Sequence, residues 1–184
     1  MPELILASRS PQRHAILEQL GVPFSVTVPD VEELGEGPPE EVALQNAQRK
    51  AAAVGDAGAT AVLGVDTVVC VGSRIYGKPA DEDQARATLW ALSGRRHEVI
   101  SGVCLIEMGR SSVAASRTAV EFRSLNDDLI AWYLASGEWR ERAGGYAIQG
   151  RGAALVATIE GDFWNVVGLP VPTLLQLAPW LLGT

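Results

Sequence analysis

The chain reads as an α/β protein, a mixed twisted β-sheet flanked by helices, and three observations predict this. Apolar strand-like runs alternate with helical segments along its length, the pattern of a sheet covered by helices. Hairpin signals at Gly72-Ser73 and within "MGRSS" are mixed in, so the strands cannot all be parallel. At 184 residues the chain can bury about 70% of its unfolded surface, enough for one good core, so a single domain over residues 1–184 is expected.

The elements follow in order. Leu4 to Leu6 is a short strand, after which Ala7, Ser8, Arg9 and Ser10 leave the sheet. Ser10 and Pro11 supply an N-cap and a proline at the first helical position. Ile16, Leu17 and Leu20 form the apolar face of that helix, and Gly21 is placed to end it in a left-handed conformation. Phe24 to Val28 alternates as a strand and leads into a mobile acidic loop, "PDVEELGEGPPEE". Pro39 to Val54 is an alanine-rich helix with Glu40 and Glu41 in its first turn and Lys50 near its end. Thr60 to Val71, "TAVLGVDTVVCV", is a nearly continuous apolar strand interrupted by Asp66 and Thr67. "RIYGKP" returns from the turn, and Asp81 to Leu92 is an amphipathic helix. His97 to Glu107 and Val113 to Phe122 read as paired strands, and Asn126 caps a helix running to Ala135. Strand periodicity recurs from Ala153 to Ile159, and Pro170 opens a terminal apolar helix. Trp90, Trp132 and Trp180 fall at apolar helical spacing and are expected in the core.

Composition narrows the function classes. No apolar run approaches the ~20 residues of a membrane span, so no membrane partner is expected. The N-terminus lacks a basic segment followed by an apolar one, and the expected location is cytoplasmic. Cys70 and Cys104 lie in apolar runs and read as buried thiols of a reducing compartment. A net charge of −7 argues against broad nucleic-acid binding, which needs a basic face, but leaves room for a small anionic ligand. All but two of the 15 basic residues are arginine, which singles out Lys50 and Lys78.

The chemistry-bearing residues cluster in motifs. The helix N-terminus after Ser8 to Ser10, with Arg9 and Arg13 beside it, can attract an anion through hydrogen bonds and dipole together. Taken alone, the same segment reads rather as a capped helix with solvated arginines, since no Walker-type glycine pattern is present. Asp66, in the middle of an apolar strand, must be paired, metal-bound or at a strand end, because an unpartnered buried carboxylate is costly. Glu32 and Glu33 read alone as solvated charge. Two or three carboxylates near cationic groups would be the usual arrangement for Mg²⁺ or Mn²⁺ on a nucleotide's phosphates.

Jointly, "LASRSPQRHAIL", "VEE", "GVDTVV", "YGKP", "LSGRRHEVISGV", "AGGYAIQGRGA" and "NVVGLP" resemble, in order and spacing, the Maf family of nucleoside triphosphate pyrophosphatases, once named septum formation inhibitors. The resemblance covers nearly the whole chain. It implies a Maf/ITPase-like fold and hydrolysis of a nucleoside triphosphate to the monophosphate and pyrophosphate by attack of water at the α-phosphorus. Asp66 resembles the catalytic carboxylate that orients or deprotonates that water, and Glu33 a second acidic ligand of the divalent metal. Lys78 is implied among the catalytic residues, and Ser8, Ser10, Arg13 and Lys50 among those that hold the triphosphate. Three positions separate family branches by base and fall here at Gln12, Thr67 and Gln149. Thr67 and Gln149 match the branch that prefers dTTP and UTP, whereas Gln12 stands where that branch has arginine. Arg142 replaces a common lysine, and Trp139 a common proline. A homodimer is implied by analogy. Two other readings compete: a nucleotidyltransferase or kinase with a second substrate, and a non-catalytic regulator of septum formation that binds nucleotides or a division protein.

Overall fold

The computed structural model describes residues 3–55 and 61–183. Seven strands form one sheet in the order β2-β1-β3-β5-β6-β7, with β4 paired to β3 off that path. They are β1 (Leu4–Leu6), β2 (Phe24–Val26), β3 (Ala61–Val71), β4 (Arg74–Tyr76), β5 (Arg96–Glu107), β6 (Arg110–Phe122) and β7 (Val156–Glu160). β1 runs parallel to β2 and β3, and the remaining pairings are antiparallel. The helices are α1 (Pro11–Gln19), α2 (Pro39–Val54), α3 (Glu82–Leu92), α4 (Asp127–Leu134), α5 (Phe163–Val167) and α6 (Val171–Leu177). The mixed α/β sheet read from the sequence is therefore present, and Thr60, expected to begin β3, lies outside the described residues.

Successive side chains of β3 point to opposite faces of the sheet, and the two faces carry different helices. Val62 and Val68, with Cys70, Ile100 and Cys104, pack under α2. Leu63 and Val65, with Val103, pack under α1 and α6, and further along Val69, Val99 and Val120 pack under α3 and α4. Helix α2 lies unusually close to its face. Its buried stripe Ala43, Ala47 and Ala51 has no bulk, and a methyl group at Gly64 or Gly102 would run into the backbone of Ala47 or Ala43 respectively.

One edge of β3 is interrupted. Residues 61–63 pair with β1 and residues 69–71 with β4, so among the described residues no strand lies beside Gly64 to Val68 on that edge. The gap opens at the carboxyl end of the parallel strand β1, the kind of position where open α/β sheets receive ligands.

Several boundaries differ from those the sequence suggests. β6 begins at Arg110 and not Val113, because Met108 and Gly109, both at positive φ, close a two-residue hairpin. β2 stops at Val26. β7 begins only at Val156, since Arg151–Leu155 form a 3₁₀ turn in which Gly152 packs against the Ala147 backbone. Trp90 and Trp132 are exposed, not core, at 42% and 44%, and Arg151 stacks on the Trp132 ring. Cys70 and Cys104 are buried free thiols, as expected. Among the described residues no helix is long and apolar enough to cross a membrane.

Candidate active site

Asp66 sits on the α2 face of β3, alongside the interrupted edge, and is only 6% exposed. Of the alternatives open to a buried carboxylate, pairing is the one observed. Its Oδ1 accepts from Lys50 Nζ at 2.6 Å, and its Oδ2 accepts from Asn46 Nδ2 at 3.0 Å. Asn46 and Lys50 are one turn apart on α2 and so share a helix face. The close seating of α2 brings both within reach of the strand. Lys50 Nζ also donates to Glu33 Oε1 at 2.8 Å, so one buried ammonium joins two carboxylates. Glu33 is thus not simply solvated. Partial burial would raise its carboxyl, but the Lys50 hydrogen bond and charge, with Lys78 and Arg13 further off, outweigh this and hold it below the ordinary carboxylate range.

On the other face of β3 stands a second group. Arg13 is buried; its Nε donates to the Gly168 carbonyl at 2.9 Å, one Nη to Ser8 Oγ at 3.0 Å and the other to Thr67 Oγ1 at 3.3 Å. Burial lowers the guanidinium's pKa, opposed by the negative charge of Asp66 and Glu33, which places it in the same electrostatic neighbourhood. Ser8 Oγ accepts from Arg13 and from the Ser10 backbone N–H, so its own proton remains to be donated. Ser10 holds the N-cap position of α1 without the side-chain cap expected of it, because its hydroxyl donates instead to Gln12 Oε1 at 3.1 Å. The first-turn N–H groups are correspondingly left without a side-chain acceptor.

Lys78 lies at the rim, about half exposed, 3.9 Å from Glu141. Gln12 and Gln149 line one cleft of about 330 Å³ together with Phe163 and Trp164. Thr67 is outside that lining and is linked to it through Arg13, the neighbour of Gln12. The arrangement therefore gathers Asp66, Glu33 and Lys50 on one face, and Ser8, Ser10, Arg13 and Thr67 on the other. The cleft with Gln12 and Gln149 adjoins the second group.

Three contributors escape a reading of the sequence. Asn46 looks like an ordinary polar residue of a helix, and only its spacing of four from Lys50 could have marked it. Ser101, whose Oγ lies 2.8 Å from Thr67 Oγ1, sits in an apolar strand. Phe163 carries no signal beyond being aromatic. His97 behaves as a structural residue, with Nε2 2.9 Å from the Tyr146 hydroxyl.

The donor set fits a small hard cation. Mg²⁺ is typically held by one or two carboxylates, with phosphate oxygens and water completing its shell. Glu33 and Asp66 provide such a pair, and among the described residues no cluster of three or more acidic, histidine or cysteine ligands offers a closed cage.

A family model described as Maf-like protein matches residues 3–179. A dTTP/UTP pyrophosphatase of Symbiobacterium thermophilum is 46% identical over 96% of this chain and 93% of its own. Those of Pyrococcus furiosus and Dictyoglomus thermophilum are 42% and 44% identical, over 96% and 95% of this chain and 94% of each of theirs.

Proposed function

Because the chain belongs to the Maf-like protein family, we propose that it is a nucleoside triphosphate pyrophosphatase acting on dTTP and UTP. Water attacks the α-phosphorus, and the products are the monophosphate and pyrophosphate. The observation that carries this reading is the pairing of Glu33 and Asp66 through buried Lys50, 2.8 and 2.6 Å from the two carboxylates. Asp66, fixed at both oxygens, is the residue that orients and deprotonates water. Glu33 and Asp66 would hold Mg²⁺ or Mn²⁺, which supplies neutralisation of the charge on the triphosphate and leaving pyrophosphate when bound. Ser8 and the open N–H groups of α1 donate to phosphate oxygens, Ser10 joins them when its hydroxyl turns from Gln12 to the phosphate, and Arg13 keeps their loop in shape while contributing positive charge. Lys50 supplies a fixed cation beneath the phosphates, and Lys78, half-exposed and only loosely paired with Glu141, closes on them.

The base enters the cleft between Gln12 and Gln149, where amides can meet the paired donor and acceptor of a pyrimidine edge and Trp164 offers an aromatic wall. Gln12 is the residue of this set that departs from the dTTP/UTP pattern, and it has its own side chain bonded to Ser10.

The test is pyrophosphate release from dTTP, UTP, CTP, 7-methyl-GTP and purine triphosphates with Mg²⁺, Mn²⁺ or EDTA. Release of pyrophosphate from dTTP and UTP that stops with EDTA is expected. Asp66→Asn is expected to lower turnover at least about 100-fold while leaving nucleotide binding within a few-fold. Turnover unchanged in that variant would remove Asp66 from its role.

A further inference from the structure

Asn46 touches both halves of the acidic pair's support. Its Oδ1 accepts from the Leu34 N–H at 2.8 Å, and its Nδ2 donates to the Leu34 carbonyl at 3.0 Å and to Asp66 Oδ2 at 3.0 Å. The side chain is buried at 2% exposure, so each bond matters. Leu34 follows Glu33 directly, and the Leu34 side chain packs near Val42, Val68 and Ile100 under α2. The two backbone groups of Leu34 also decide which way the amide is turned. A flipped Asn46 would set its NH₂ against the Leu34 N–H and its oxygen against both the Leu34 carbonyl and Asp66. One amide thus reads a loop and a carboxylate together, and the acidic loop expected to be mobile is tied down beside the residue that presents Glu33.

We propose that Asn46 is a positioning residue that couples the Glu33 loop to Asp66, so that the two carboxylates reach Lys50 as one unit. This rests on the reading of Glu33 and Asp66 as the acidic pair of the hydrolytic site. Lys50 alone cannot do it, because a single ammonium fixes one oxygen of each carboxylate and leaves both free to rotate about that contact. Asn46 takes the second oxygen of Asp66 and fixes the backbone that carries Glu33.

The experiment compares the unaltered protein with Asn46→Leu, which matches the size and removes all three bonds, and with Asp66→Leu, which removes the acceptor. Amide hydrogen exchange over residues 30–38, with α2 as internal reference, and kcat and KM for dTTP with Mg²⁺ are measured on each. In Asn46→Leu the loop amides are expected to exchange at least about tenfold faster while α2 is unchanged, and kcat falls roughly 10- to 100-fold with KM altered less than about threefold. In Asp66→Leu the same loop amides also speed up, although nothing was changed at the loop. The proposal is overturned if Asn46→Leu keeps kcat within about twofold, or if the loop amides are unaffected in either variant. It is equally overturned if exchange rises uniformly through α2, which would mark a general packing role. Should Asn46→Leu fail to fold, Asn46→Ser is read by the same criteria. If the unaltered protein releases no pyrophosphate, the hydrolytic reading fails, and the exchange results in the two variants still decide the coupling.

Discussion

Lys50 serves two carboxylates at once, and its removal should separate stability from chemistry. Asp66 is buried and would lose its cation in Lys50→Met, and breaking a buried pair from one side typically costs about 3 kcal/mol or more. For a chain of this size that lowers Tm by on the order of 10 °C. Lys50→Met combined with Asp66→Leu removes both buried charges and should regain most of the loss while remaining inactive. Thermal unfolding of the three proteins checks this, and equal losses in the single and double variants would show that the cation is not what stabilises Asp66. The residues of this cluster differ in how visible they are in the sequence. A charged residue in an apolar strand demands a partner, which made Asp66 conspicuous, and the scarcity of lysine marked Lys50. Asn46 had no such signal: an uncharged amide on an alanine-rich helix is indistinguishable from a solvated one until the sheet beneath it is known.

Helix α2 decides whether those side chains meet. Its approach depends on glycine at two strand positions, because a Cβ at Gly64 or Gly102 would overlap helix backbone, which cannot swing aside as a long side chain can. Gly64→Ala and Gly102→Ala are therefore expected to destabilise by at least about 1–3 kcal/mol and to lift Lys50 and Asn46 away from Asp66. Urea unfolding should register the first effect and pyrophosphate release the second, and an active, fully stable Gly102→Ala would contradict the close seating. The bounds of α2, Pro39–Val54, are those expected from its proline, its acidic first turn and Gly55. The strands were less legible at their ends. The hairpin of Met108-Gly109 places a methionine at positive φ, which no local rule anticipates, and the apolar residues before Val156 alternate like a strand while serving a 3₁₀ turn. Trp90 and Trp132 show the limit of periodicity, which locates a helix face but not whether anything covers it.

Across the whole molecule, burial of His97 beside Tyr146 and Phe122 ties stability to pH. Burial lowers the imidazole from 6.5 to about 4, so the folded state keeps it neutral while the unfolded chain takes up a proton. Its contribution is complete above about pH 6.5, declines as pH falls toward about 4 and is flat below, a total of roughly 3 kcal/mol. Denaturant unfolding at pH 7, 5 and 4 should show this slope, and His97→Phe should lose that part of it; an unchanged slope in the variant would assign it to other groups. The alternation of strands and helices made the α/β class readable. The interrupted edge of β3 was not, since it depends on which strands become neighbours. One long-range tie has a consequence in time. Arg13 is held by the carbonyl of Gly168, 155 residues further along. At about 5–20 residues per second of synthesis, roughly 8–30 s separate the two, during which Asp66 and both lysines are already made. A growing chain therefore carries Asp66 and both lysines long before the carbonyl that holds Arg13 exists, and that tie can close only after α5 has been synthesised.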